Sequence, residues 1–226
     1  MDGPVSTFQY IADNYRYIIF LTGEHLWIVA LALLIATGLG VPLGILITRH
    51  KQLADRVINV ANILMTIPSI ALFGLMLPVL SVVGHGLGKV PAITALVLYS
   101  QLPIIRNTYT AIKNVPPAVV NAGRGMGMSR WRLLLEVQMP LALPVILAGL
   151  RTAAVMNIGI AAIAAYIGAG GLGVLIQQGI GRVHEDMILS GAILVSLLAV
   201  VVDGGMALLE RLVTPQGIKI QRERAQ

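Results

Sequence analysis

Two ionisable residues stand inside stretches that otherwise carry no charge: Arg151 within 141–167 and Asp203 within 187–209. Charges so placed are costly in an apolar medium and face a partner or a polar pathway. Arg151 lies 11 residues past Pro140, and Asp203 lies 8 before Arg211. At about 1.5 Å per residue both reach a similar depth, roughly 12–16 Å. They are expected to pair, for structure or for moving a solute. Other reactive groups are sparse. There is no cysteine, hence no disulfide and no thiolate metal site. His25, His50, His85 and His184 are scattered without ligand spacing, so no metal and no catalytic residue is expected. The glycine-rich run 168–173 follows no strand, which excludes a dinucleotide loop. It reads as a turn into a short helix over 174–180. Aromatic faces can hold an organic ammonium group. Near the apolar stretches these are Trp27, Tyr99, Tyr109 and Tyr166, with Ser69 and Asn157 as polar neighbours. The tyrosines, Ser69 and Asn157 form the expected lining of a solute pathway. Trp27 also suits an anchor at a membrane interface.

The elements that must position these residues follow from composition. The chain has 226 residues, 57% hydrophobic and 12% charged, against about 25% charged in a soluble domain. Its main solvent is lipid. A spanning helix needs about 20 mostly apolar residues. Five spans are expected, at about 24–48, 57–83, 88–112, 141–167 and 186–211, in one all-α integral membrane domain. Helices are required because a water-free bilayer core leaves no other partner for the backbone. The stretch 7–20 mixes aromatic, apolar and charged residues and reads as an N-terminal helix lying at the interface. No secretory signal peptide is expected at the N-terminus.

Lysine and arginine set the orientation. One side carries Arg49, Lys51, Arg56, Arg106, Lys113, Arg124, Arg130, Arg132, Arg211, Lys219, Arg222 and Arg224. The other carries Arg16, Lys89 and Arg182. The first set is expected in the cytoplasm with the C-terminus, and the N-terminus outside. The net charge of +6 is therefore a topology signal, and no nucleic-acid partner is expected.

The loop 113–140 is long and patterned. Pro116-Pro117 ends one helix and can start another. A short helix is predicted over 118–126, with Gly127 as its stop and Ser129 as the N-cap of a second. Pro140 and Pro144 bracket re-entry into the membrane. A folded, basic helix–turn–helix on the cytoplasmic side suggests a surface on which another protein docks.

Here the sequence resembles the permease subunits of ABC importers. Their cytoplasmic motif reads Glu-Ala-Ala, three residues, Gly, nine residues, Ile-x-Leu-Pro. This chain has Asn121-Ala122-Gly123, Gly127 and Val137-Gln138-Met139-Pro140 at matching spacing. Asn121 stands for the Glu and Gly123 for the second Ala. Thr22-Gly23-Glu24-His25-Leu26, Thr66-Ile67-Pro68-Ser69, the segments 42–49 and 102–109, and the run 142–159 resemble osmoprotectant permeases for glycine betaine, choline or carnitine. The resemblance implies a methionine-importer-like fold in a bacterial inner membrane and alternating access. It implies coupling to the ATPase through Ala118, Asn121, Ala122, Gly123, Arg124, Met126, Gly127 and Pro140. It further implies two ATPase subunits, a second permease (a copy or a paralogue) and an external substrate-binding protein. No Walker A sequence occurs, so ATP and Mg are expected on the partner ATPase, with no cofactor and no enzymatic activity on this chain. Two other expectations fit the helix pattern: an importer of this architecture for methionine or another small solute, and an ion-coupled secondary transporter. The latter calls for an internal repeat and working intramembrane carboxylates. No clear repeat is visible, and Asp203 is the only acidic residue deep in a span.

Overall fold

The computed structural model describes residues 4–213, with side chains from Ser6 onward. Lys219, Arg222 and Arg224, counted above on the basic side, lie outside the described residues. The described residues are mostly helical, without a strand. Ten α-helices follow in order: α1 (Pro4–Asp13), α2 (Tyr15–Ile47), α3 (Lys51–Thr66), α4 (Ser69–Ser81), α5 (Lys89–Lys113), α6 (Pro117–Gly125), α7 (Arg130–Leu133), α8 (Met139–Ile163), α9 (Gly173–Arg182) and α10 (Glu185–Val213).

Among the described residues, three helical runs are long and apolar enough to cross a membrane: Tyr15–Ile47, Arg130–Ile167 and Glu185–Val213. The pair α3 and α4 meets that test only when taken together, and it is bent by 101°. The segment expected as a span over 57–83 is thus made of two helices, Lys51–Thr66 and Ser69–Ser81. Its break has a local cause. Pro68 disfavours the α conformation for the residue before it, and Ile67 is extended, with φ −70° and ψ 125°.

α5 is long enough to cross but too polar to be recognised by composition. Its surroundings allow that polarity. It packs against α2, α3 and α8, and Ser100, Thr108 and Ile104 are fully buried in it. A helix enclosed by protein does not need a lipid-soluble surface. α5 runs parallel to α2 in nearly constant register: residue 24 meets 89, 40 meets 104 and 44 meets 108. Glycine sets the approach at two of these points. A Cβ at Gly40 would lie 2.8 Å from Ile104 Cγ2, and one at Gly44 2.6 Å from Thr108 Cβ. Small residues at membrane helix contacts allow such proximity. α8 runs antiparallel to both, with His25 meeting Ile158 and Ser100 meeting Asn157. The largest core cluster lies among these three helices, around Ile28, Ala32, Leu96, Ile104, Ala153 and Ile158.

The N-terminal helix is shorter than expected. α1 ends at Asp13, and Tyr15 to Phe20 already belong to α2. α1 is fastened to the start of α10, where Ser6 Oγ and Thr7 Oγ1 donate to Asp186 Oδ1 at 2.6 and 2.8 Å. The second short helix of the loop is not separate either. α7 continues into α8 through a π-helical turn, Leu134–Gln138. Pro140 has no N–H for the carbonyl four residues earlier, and its ring crowds that carbonyl. A wider π turn just before it relieves both.

Candidate functional site

The loop between α5 and α8 folds into a defined surface. Pro116 and Pro117 start α6, since proline suits the first helical turn. Gly127 ends it in the left-handed region, at φ 78°, while the Met128 N–H donates to the Gly123 carbonyl at 3.1 Å. This is the glycine-closed C-cap that lets a helix stop abruptly. Ser129 Oγ then accepts from the Arg132 N–H at 3.3 Å and starts α7.

α6 is held from behind. A Cβ at Gly123 would lie 2.6 Å from Leu133 Cδ1 and 3.2 Å from Met128 Sδ. The glycine in place of the motif's alanine therefore brings α6 against α7 more closely than alanine allows. The Arg49 guanidinium lies 5.6 Å from the centre of the Trp131 ring, joining the loop to the end of α2. The opposite face is bare: Ala118, Asn121, Ala122 and Arg124 are exposed, and Met126 is 74% exposed. Gly127 and Pro140 are exposed as well. Beside α6 lies a cleft of about 1010 Å³, lined among others by Arg49, His50, Lys113, Arg124 and Arg130.

Arg151 of α8 and Asp203 of α10 meet in a two-pronged pair. Arg151 Nε donates to Asp203 Oδ1 at 2.5 Å and Nη2 to Oδ2 at 2.6 Å. Glu210 Oε2 stands 4.0 Å from Nη1. The side chains remain 35% and 39% exposed in a groove of about 500 Å³ between the two helices.

The residues expected to line a pathway make the following contacts. Tyr99 is buried, and its hydroxyl donates to the Ile67 carbonyl at the α3–α4 bend. It secures the break. Tyr99→Phe should lower stability by about 1 kcal/mol, a fall of roughly 3 °C in melting temperature, read on the purified protein. Asn157 is fully buried, and its Nδ2 donates to Ser100 Oγ at 2.8 Å. Tyr109 packs half-buried beside Ile47, Ala54 and Ile105. Ser69 opens α4. Tyr166 is 49% exposed on a 3-10 turn, Ala164–Ile167.

The sequence reading missed a cluster at the end of the bundle opposite α6. Lys89 Nζ lies 2.7 Å from Glu24 Oε1 and 5.8 Å from the centre of the Trp27 ring. The other carboxylate oxygen, Glu24 Oε2, accepts from the Gly171 N–H at 3.3 Å. The spacing of Glu24 and Trp27, three apart on α2, is the signal that could have revealed it. Lys89 is remote in sequence.

A family model described as "Binding-protein-dependent transport system inner membrane component" matches residues 40–215. The chain is 54% identical over 215 residues to the osmoprotectant import permease protein OsmW of Salmonella typhimurium, covering 95% of this chain and 100% of that protein. It is 42% identical over 214 residues to the glycine betaine/carnitine/choline transport system permease protein OpuCB of Bacillus subtilis, covering 95% and 96%. Among solved structures, an inward-facing form of the MetNI methionine ABC transporter is similar, with TM-score 0.79 and 25% identity over 88% of this chain and 96% of that one.

Proposed function

We propose, from the premise that this chain belongs to the family of binding-protein-dependent transport system inner membrane components, that it is the permease subunit of an ABC importer for quaternary-ammonium osmolytes. Osmoprotectant import is named for the relative that is 54% identical over 95% of the chain, and glycine betaine, carnitine and choline are named for the one that is 42% identical over the same share, which carries the substrate class. The permease works with two ATPase subunits, a second permease (copy or paralogue) and an external binding protein. ATP and Mg belong to the ATPases. α6 and the C-terminus face the cytoplasm, and the N-terminus faces outward. The chain crosses the membrane five times, counting α3–α4 as one bent crossing and α5 as the enclosed one.

The geometry supports a mechanical role for α6. It is a short helix braced behind by Leu133 and bare in front, and the run Arg130–Ile167 leads from its foot into the bundle. ATP-driven closure of the ATPases carries α6 along. Arg130–Ile167 transmits that displacement, and the pathway opens to each side in turn.

The complex reconstituted in liposomes, with ATPase and binding protein, should take up labelled glycine betaine and leave methionine behind. A cysteine at Met126 should crosslink to the ATPase. Uptake that persists without the ATPase overturns the reading, as do crosslinks that never reach a nucleotide-hydrolysing protein. Uptake of methionine alone redirects the substrate class.

A further inference from the structure

The cluster of Glu24, Trp27 and Lys89 belongs neither to the coupling surface nor to the Arg151–Asp203 pair. It contains an ammonium group, Lys89 Nζ, held between a carboxylate and an indole face. We propose that this cluster is an entry site for the ammonium head of the solute, with the Lys89 side chain as its resident occupant. The inference rests on the substrate class given above.

Three observations carry it. First, the chemistry is that of ammonium recognition: a carboxylate supplies the opposite charge and a tryptophan face supplies its quadrupole. Second, the carboxylate is fixed independently of its guest. The Gly171 N–H holds Glu24 Oε2, and Gly170 and Gly171 pack against Glu24 and His25 so closely that a Cβ at either would come within 3 Å. Third, the occupant is displaceable. Lys89 ends a flexible four-carbon stem, its side chain is 45% exposed, and Trp27 is 53% exposed. A lysine ammonium is compact and strongly hydrated. A trimethylammonium group is bulkier and more weakly hydrated, so it has more to gain on the indole. Once displaced, Lys89 stays within reach and can meet the carboxylate of a zwitterionic solute such as glycine betaine. Choline has no such group.

That difference gives a test whose sign is set by the solute. The permease–ATPase complex in nanodiscs, without binding protein, is titrated by ligand-observed NMR. The probes are choline, glycine betaine and 3,3-dimethylbutan-1-ol, the neutral isostere of choline. Choline and glycine betaine are expected to bind and the isostere not. Trp27→Leu should weaken both by about two- to fivefold, while Trp27→Phe, which keeps a ring, should weaken them less. Lys89→Gln should tighten choline, by removal of the competitor, and loosen glycine betaine, by loss of its carboxylate partner. A purely structural Lys89 would move both in one direction. Binding of the isostere equal to choline overturns the proposal. So does an unchanged affinity in a folded Trp27→Leu complex, or a Lys89→Gln complex in which both solutes shift alike. Failure of the substrate assignment reads differently: wild-type liposomes then take up no quaternary-ammonium solute at all.

Discussion

Gly173→Ala should destabilise the protein more than an added methyl group at any open position of the bundle. Its Cβ would lie 2.0 Å from the Ala162 carbonyl oxygen, 2.6 Å from that carbonyl carbon and 2.7 Å from the Ala162 Cα. All three are backbone atoms of α8, so no rotamer change relieves the clash. Either α9 lifts from α8 or the last turn of α8 distorts. Overpacking of this kind costs about 3 kcal/mol, a drop of roughly 10 °C in melting temperature for a chain of this size. Lifting α9 also draws the 168–172 turn away from Glu24. Gly159→Ala is the control. It lies in the same helix as Ala162, and nothing lies within 4 Å of its Cβ. There the better helix propensity of alanine should leave stability unchanged or raise it by up to about 1 kcal/mol. Melting of the two variants in detergent, followed by size-exclusion chromatography, reads both. Equal stability of Gly173→Ala and Gly159→Ala would show that α9 does not sit against α8 as described.

The second large effect concerns Arg151 and Asp203, and its signature is asymmetry. Arg151→Asp sets three carboxylates together, at 151, 203 and 210, in a groove within the spanning layer. Asp203→Arg sets two guanidinium groups there, but Glu210 already stands 4.0 Å from Arg151 and partly offsets them. Both single variants should reduce the amount of assembled protein severalfold, the range in which modest destabilisation changes cellular abundance, and Arg151→Asp should be the worse. The exchange of both, Arg151→Asp with Asp203→Arg, restores the opposite charges and should recover most of the lost assembly. Recovery stays incomplete because Glu210 is placed for a cation on α8. Membrane-fraction yield and chromatographic homogeneity measure the series. A double variant no better than the worse single would remove the pair as a structural tie.

Much of the loop 113–140 was legible in the sequence because its signals are local. Pro116-Pro117, Gly127 and Ser129 each act on their own turn of chain, so α6 begins and ends, and α7 begins, where those residues require; that α7 runs on into α8 was not legible. The meeting of Arg151 with Asp203 was also accessible, since two charges at like depth in uncharged helices have few alternatives to each other. What was hidden depended on tertiary context. The α3–α4 bend sits at a proline that was noted, but membrane helices also tolerate prolines without breaking. The Tyr99 hydroxyl on the Ile67 carbonyl, thirty-two residues away in sequence, and the packing of Leu72 and Phe73 into the main core show this break secured from outside the pair. α5 appeared apolar only over part of its length, because its polar residues are sheltered by neighbours that a one-dimensional reading does not place. Aromatic type says what a side chain can bind and not where it packs: the Tyr99 hydroxyl donates to the Ile67 carbonyl, and Tyr109 packs beside Ile47, Ala54 and Ile105.

The parallel register of α2 and α5 limits how this molecule can move. Glycines at 40 and 44 set the two helices ridge against furrow, with an ion pair at one end of the seam. Sliding by a single residue would drive side chains into backbone along its length. The two are therefore expected to shift as one plank, with any change of shape falling at the bend at Ile67-Pro68, the widened turn before Pro140 and the groove between α10 and α8.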